Sequence, residues 1–206
     1  MGKIDVCTRF GLIRHATTSW NLEKRIQGRL NADLAPCGEH MARRWGKRLQ
    51  ENGWQRILAS HSGRAMQTAR LMNLALKLPL SADSRLQEQD WGHWSGQRLP
   101  DLKQRYGRQL RAQVNAGWRF QPPGGEDRLA VWRRSLQALL DGSARWPGRR
   151  ILVVTHEGVI KCLLYRLSGR RFLPDEPVLL KPSHLHLVKV RDDRLLLARI
   201  NHLDLR

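Results

Sequence analysis

Two histidines close short apolar runs in this chain. Arg14-His15 ends FGLI near the start, and His156 follows ILVVT far downstream. Arg64 and Glu88 are the other residues whose types complete a reactive set with them. Phosphoryl transfer needs cations on the non-bridging oxygens, an in-line nucleophile and an acid for the leaving group. Arg14, His15, Arg64, Glu88 and His156 supply these functions together with no metal and no cofactor. Each residue alone reads as an exposed charge or a strand-end histidine, so the chemistry depends on the fold gathering them.

Other chemistries lack their parts. No G-x-G-x-x-G follows a strand and no G-x-x-x-x-G-K-[ST] occurs, so the backbone cradles of dinucleotide and P-loop sites are missing. There is no H-E-x-x-H and no paired-cysteine zinc pattern. Cys37 and Arg43 fit a bare C-x5-R spacing, but the residues between them begin an amphipathic helix rather than a glycine-rich anion loop, so the spacing reads as coincidence. His184 and His186 share a strand face and read as a half-exposed pair; His40, His93 and His202 read as surface or packing residues.

The elements that must position the set alternate between strand and helix. Residues 10–13 read as a short buried strand ending at Arg14. Met41, Trp45 and Leu49 lie one helical face apart within 37–51, beside a basic face of Arg43, Arg44, Lys47 and Arg48. Residues 57–59 are strand-like; Ser62 is placed as the N-cap of a helix over 64–76 that Pro79 ends. Residues 86–96 look irregular and site-building, and 101–117 weakly helical. The turn at 122–125 leads into a helix from Glu126 to about residue 140, with acidic residues at its positive end. Residues 151–155 form the β-branched run of a parallel strand, and 185–190 with 195–200 form a hairpin around Asp192-Asp193. This order predicts an α/β fold, a three-layer α/β/α sandwich with a mainly parallel central sheet. The carboxyl ends of such strands build the site, which is where both histidine positions fall.

The 206 residues suit one domain, with no linker-like stretch. The apolar runs are strand-sized, far short of a membrane span, and MGKIDVCTRF carries Lys3, Asp5 and Arg9 in place of a signal-peptide core. Cys7, Cys37 and Cys162 are odd in number and widely spaced, which reads as free thiols in a reducing, cytoplasmic setting. The formal charge of +19 fits either a nucleic-acid binder or an enzyme of anionic substrates. The basic residues are spread along the chain without a helix-turn-helix, zinc-finger or RNA-recognition signature, so nucleic acid is not the expected partner. A small phosphorylated metabolite is.

Five ordered blocks sharpen the reading. LIRHATTSWN at 12–21 resembles the Arg-His-Gly-x-Thr-x-Trp-Asn signature of the histidine phosphatase superfamily, also called phosphoglycerate mutase-like. RIQGRLNADLAPCGEHMA at 25–42, ASHSGRAMQTA at 59–69, LQEQDWGHWSG at 86–96 and VVTHEGVIK at 153–161 resemble the family segments that follow, in order. The resemblance implies that His15 attacks phosphorus and becomes a phosphohistidine. It implies that Arg14, Arg64 and His156 hold the phosphoryl oxygens, that Glu88 serves as acid and then base, and that Asn21 and Gln27 line the phosphate or substrate side. Three positions depart from the pattern: Ala16 stands where glycine is usual, Glu157 where glycine follows the second histidine, and His61-Ser62 where Pro-Leu is common. Glu157 thereby places a carboxylate beside an anion site.

The compact interval from Glu88 to His156 favours the phosphatase branch over the cofactor-dependent mutases, which carry a longer insertion there. PPGGED at 122–127 resembles a turn of phosphatases such as the alpha-ribazole and broad-specificity enzymes, which makes Glu126 a candidate wall residue. The expected activity is metal-independent phosphomonoester hydrolysis. The alternatives are a mutase-type phosphotransferase, and a non-catalytic phosphate- or nucleic-acid-binding protein that kept the pocket.

Overall fold

A computed structural model describes residues 7–206; Lys3 and Asp5 lie outside the described residues. The sheet has six strands in the order β3-β2-β4-β1-β5-β6. These are β1 Thr8–Arg14, β2 Arg56–Ser60, β3 Leu80–Asp83, β4 Arg150–Thr155, β5 His184–Arg191 and β6 Arg194–Asp204. The first four run parallel, and β5 and β6 add an antiparallel hairpin at one side. The sequence does not announce β3, because LSAD is a four-residue edge strand with too few alternations to show a period.

The helices are α1 Ser19–Leu22, α2 Pro36–Leu49, α3 Gly63–Leu76, α4 Leu99–Asn115, α5 Arg128–Arg145 and α6 Glu157–Leu167. Strand β4 shows why the sandwich has three layers. Ile151 and Val153 pack with residues of α5 and α6, whereas Leu152 and Val154 pack with residues of α2 and α3, so both faces of the strand are buried. Trp45 and Leu49 lie in the second of these clusters, with Met41 packed against it, as the helical spacing predicts. Gly46 lets α2 approach closely, since a Cβ there would strike the backbone of Met72 on α3.

Helix α3 ends at Leu76 as expected, but Pro79 is not what stops it: Lys77 turns left-handed at φ 53, and the Asn73 side chain bonds both the N–H and the C=O of Leu78. Helix α5 starts after Glu126, because Asp127 is the residue whose carboxylate accepts from the Ala130 N–H at 2.7 Å. The hairpin turn falls at Asp192-Asp193, both with positive φ, as a two-residue turn matched to strand twist requires.

Candidate active site

Strand register brings the two histidines together. Arg14 pairs with Thr155 across β1 and β4, and His15 donates its backbone N–H to the Thr155 carbonyl at 2.8 Å. The next residues on each strand are therefore neighbours, and the His15 and His156 rings lie 5.2 Å apart.

His15 is buried, and its Nδ1–H donates to the Ala16 carbonyl at 2.8 Å. That bond assigns the lone pair to Nε2, which accepts from Arg64 Nε at 3.2 Å. Burial pushes the imidazole well below its usual pKa, and the charges of Arg14 and Arg64 push it further. Ala16 packs into the apolar cluster between sheet and α2/α3, and its N–H donates to Thr68 Oγ1 at 3.0 Å. The methyl that replaces glycine's hydrogen thus belongs to the core.

Arg64 opens α3 and is 1 % exposed. Its other two nitrogens donate to the carbonyls of Leu30 at 2.7 Å and Gly28 at 2.8 Å, so the guanidinium is fixed against the nucleophile candidate from the side of residues 28–30. Arg14 is held by the first residue of α6. It donates to Glu157 at 2.6 Å, and Glu157 also pairs with Lys161 at 2.6 Å. Burial alone would raise the Glu157 carboxyl, but Arg14 and Lys161 outweigh it and hold it below its usual range.

His156 is fully buried and its Nε2 lies 2.8 Å from Ser60 Oγ and 3.1 Å from Ser62 Oγ. Either hydroxyl can donate to that nitrogen or accept from it, and Nδ1, the other ring nitrogen, is buried with no partner among the described residues. Burial, then Arg64 and His15, lower its pKa well below 6.5. Ser62 occupies the expected N-cap position of α3, yet its hydroxyl makes no capping bond and turns to His156 instead.

Glu88 sits against the start of α6. Its carboxylate accepts from the Gly158 N–H at 3.2 Å and the Gln89 N–H at 2.8 Å. A Cβ at Gly158 would collide with Glu88 Oε1, so a larger residue there would push the carboxylate out of this position. The backbone around Glu88 is clamped by Arg134, which donates to the carbonyls of Arg85, Gln87 and Glu88. Glu126 corrects an expectation: it pairs with Arg134 at 2.7 Å and does not line either main cavity. It supports the clamp.

Two cavities meet at this point, of about 730 Å³ and about 350 Å³. Arg14, His15, Asn21 and Glu157 line both. Arg64, Glu88 and Gln27 line the larger one, where Gln27 Oε1 is buried without a partner. Asn21 is held by its own capping box, accepting from Thr18 N–H and Oγ1 at 3.0 Å. His184 and His186 line the smaller cavity and are buried rather than half-exposed. One nitrogen of each already bonds backbone: His184 Nδ1 donates to the Pro182 carbonyl, and His186 Nδ1 accepts from the Asn201 N–H. Among the described residues no three His, Cys, Asp or Glu side chains gather as a metal site. His40, His93 and His202 are exposed, and Cys37 lies exposed in the first turn of α2. No helix among the described residues is long and apolar enough to cross a membrane.

Sequence reasoning missed Ser60, Ser62, Gly158, Lys161 and Arg134. Ser60, Ser62 and Gly158 lie inside the motif blocks, but only the fold shows what each touches.

The chain is 32% identical over 158 residues to the probable phosphoglycerate mutase GpmB of Salmonella paratyphi B, covering 77% of this chain and 74% of that one. It is 29% identical over 158 residues to the uncharacterized phosphatase PhoE of Bacillus subtilis, covering 77% and 76%. Among solved structures, Bacillus stearothermophilus YhfR superposes with a TM-score of 0.86 at 28% identity, over 96% of this chain and 98% of that one. The profile of the histidine phosphatase superfamily (branch 1) matches residues 10–202. With that match running from within β1 into β6, the chain belongs to the histidine phosphatase superfamily.

Proposed function

We propose that this protein is a phosphomonoester hydrolase that works through a phosphohistidine at His15 Nε2. The observation that carries the reading is the state of that nitrogen: the bond from Nδ1–H to the Ala16 carbonyl leaves its lone pair free, and burial between two arginines keeps the ring neutral.

On binding, a phosphoryl group takes the place of the Arg64 Nε–H at the His15 lone pair. Arg14, Arg64 and the partnerless Nδ1 of His156 then face its oxygens. His15 Nε2 forms a bond to phosphorus as the P–O bond to the alcohol breaks, and protonated Glu88 gives its proton to the departing oxygen. Glu88, now ionised, takes a proton from water, whose oxygen bonds phosphorus while the N–P bond breaks. Phosphate leaves and His15 is neutral again. Neither half-reaction requires a metal or a cofactor.

The likeness to GpmB favours a second reading, in which another alcohol replaces water in the second half-reaction. One experiment separates the two. With an aryl phosphate in excess chelator, we expect turnover, an acid-labile phosphoenzyme on rapid quenching, and loss of both in His15→Ala. Comparable turnover in that variant refutes the phosphohistidine. Label passing to an added phosphoglycerate faster than to water selects the mutase.

A further inference from the structure

Two arginines on α5 are largely buried, and they are satisfied in opposite ways. Arg134 donates to three carbonyls and to both carboxylate oxygens of Glu126. Arg128 makes one hydrogen bond, from Nη1 to the Gly117 carbonyl at 2.8 Å. Its guanidinium lies between two rings, 4.4 Å from the centroid of Phe120 and 4.2 Å from that of Phe172. No carboxylate among the described residues pairs with it, and burial lowers its pKa to about 10. A buried cation without a counter-ion is a costly arrangement that aromatic faces offset only in part.

The free edge of this fork faces a ligand space. Arg128 lines the larger cavity together with Trp91 and Phe172, on the Glu88 side where the leaving group of a phosphoester must lie. Lys24 and Lys103 line the same cavity, and among the described residues neither has an ion-pair partner. The remaining cations of that wall are answered within the protein, Lys161 by Glu157 and Arg25 by Glu23. The cavity therefore holds a second cationic pole besides the Arg14 and Arg64 pair.

Building on the hydrolase reading, we propose that the alcohol half of the substrate carries a second anionic group, a carboxylate or another phosphate, received by Arg128 with Lys24 and Lys103 at the cavity mouth. The ring sandwich fixes the guanidinium plane, so the anion meets two N–H donors already in place.

The test uses three matched aryl monophosphates, bearing a 3-carboxylate, a 3-phosphate or a neutral 3-carbamoyl group, at constant ionic strength. We expect kcat/KM for one charged substrate to exceed that for the carbamoyl substrate by about tenfold, as a charge-assisted hydrogen bond allows. The better of the two charged arms identifies the anion. Arg128→Met is expected to reduce the ratio to about twofold and Arg128→Lys to retain part of it. Arg43→Glu, on the exposed face of α2, is expected to keep the ratio, which separates local recognition from the general field of the +19 surface. Dissociation constants measured by calorimetry on His15→Ala carry the same comparison without turnover. A ratio near one in the wild type, or one indifferent to Arg128→Met, overturns the proposal. Absence of turnover with the binding ratio intact refutes the hydrolase reading alone.

Discussion

If Arg14 holds the phosphoryl group as proposed, Glu157 competes with substrate for it, and Glu157→Gln measures by how much. The 2.6 Å pair is 43 % exposed on the Arg14 side and 42 % on the Glu157 side, so water screens it heavily. Exposed pairs of this kind contribute about 0.5–1 kcal/mol. If phosphate must draw Arg14 out of that pair, removing the carboxylate tightens phosphate binding by about two- to fivefold. Loss of the repulsion between a carboxylate and a dianion acts in the same direction. Gln keeps the side-chain size and the helical position of Glu157 while deleting its charge. The assay is the competitive inhibition constant of inorganic phosphate or vanadate against an aryl phosphate at pH 7. The gain should shrink at 0.5 M salt, where the Debye length falls to about 4 Å. Unchanged or weaker inhibition in Glu157→Gln would show that Glu157 does not compete with the anion for Arg14, and the clamp role of Arg14 would go with it.

Acid should destabilise the fold through its buried histidines. His15, His156 and His186 all have lowered pKa values, His186 about 4, with burial the first cause in each. Below pH 6.5 the unfolded chain binds protons that the folded one refuses, so stability is complete above that pH and falls until the folded pKa values are reached. Three such groups amount to roughly 4 kcal/mol by pH 5.5; a urea midpoint flat from pH 7.5 to 5.5 contradicts this. Arg134→Met leaves three carbonyls without their donor and Glu126 with only Arg29, at 3.6 Å, as a cation partner, and is expected to cost about 3–5 kcal/mol. It should also slow alkyl phosphates more than nitrophenyl phosphate, since only a poor leaving group needs a well-placed Glu88. Equal slowing of both makes the clamp purely structural.

The reactive set was legible because Arg14, His15, Arg64, Glu88 and His156 each sit in a short motif whose order along the chain matches their convergence in space. The sandwich was legible from runs such as ILVVT, which only a strand buried on both faces tolerates. What stayed hidden are contacts made across the fold. Ser62 looked like a cap because helix starts favour serine, but a buried histidine 94 positions away takes its hydroxyl. Glu126 looked like a wall residue from its turn alone, and only the facing Arg134 on α5 shows its partner. His184 and His186 looked half-exposed because strand alternation does not reveal that the loop before β5 covers their face. Arg128 carried no signal at all, since its meaning lies in a pair of rings, Phe120 and Phe172, that only the fold brings to either side of it.

The strand order has a consequence for how the molecule comes into being. β4 lies between β2 and β1, so the first strand and the second never pair with each other, and both wait for a segment made much later to come between them. During synthesis, β1 waits without its parallel neighbour while more than half the chain is still to come. His15 gains the Thr155 carbonyl and the neighbouring His156 ring only when β4 arrives. On the proposed reading, a chain that has not yet made β4 lacks part of the reactive set, so hydrolysis begins only once that strand has seated.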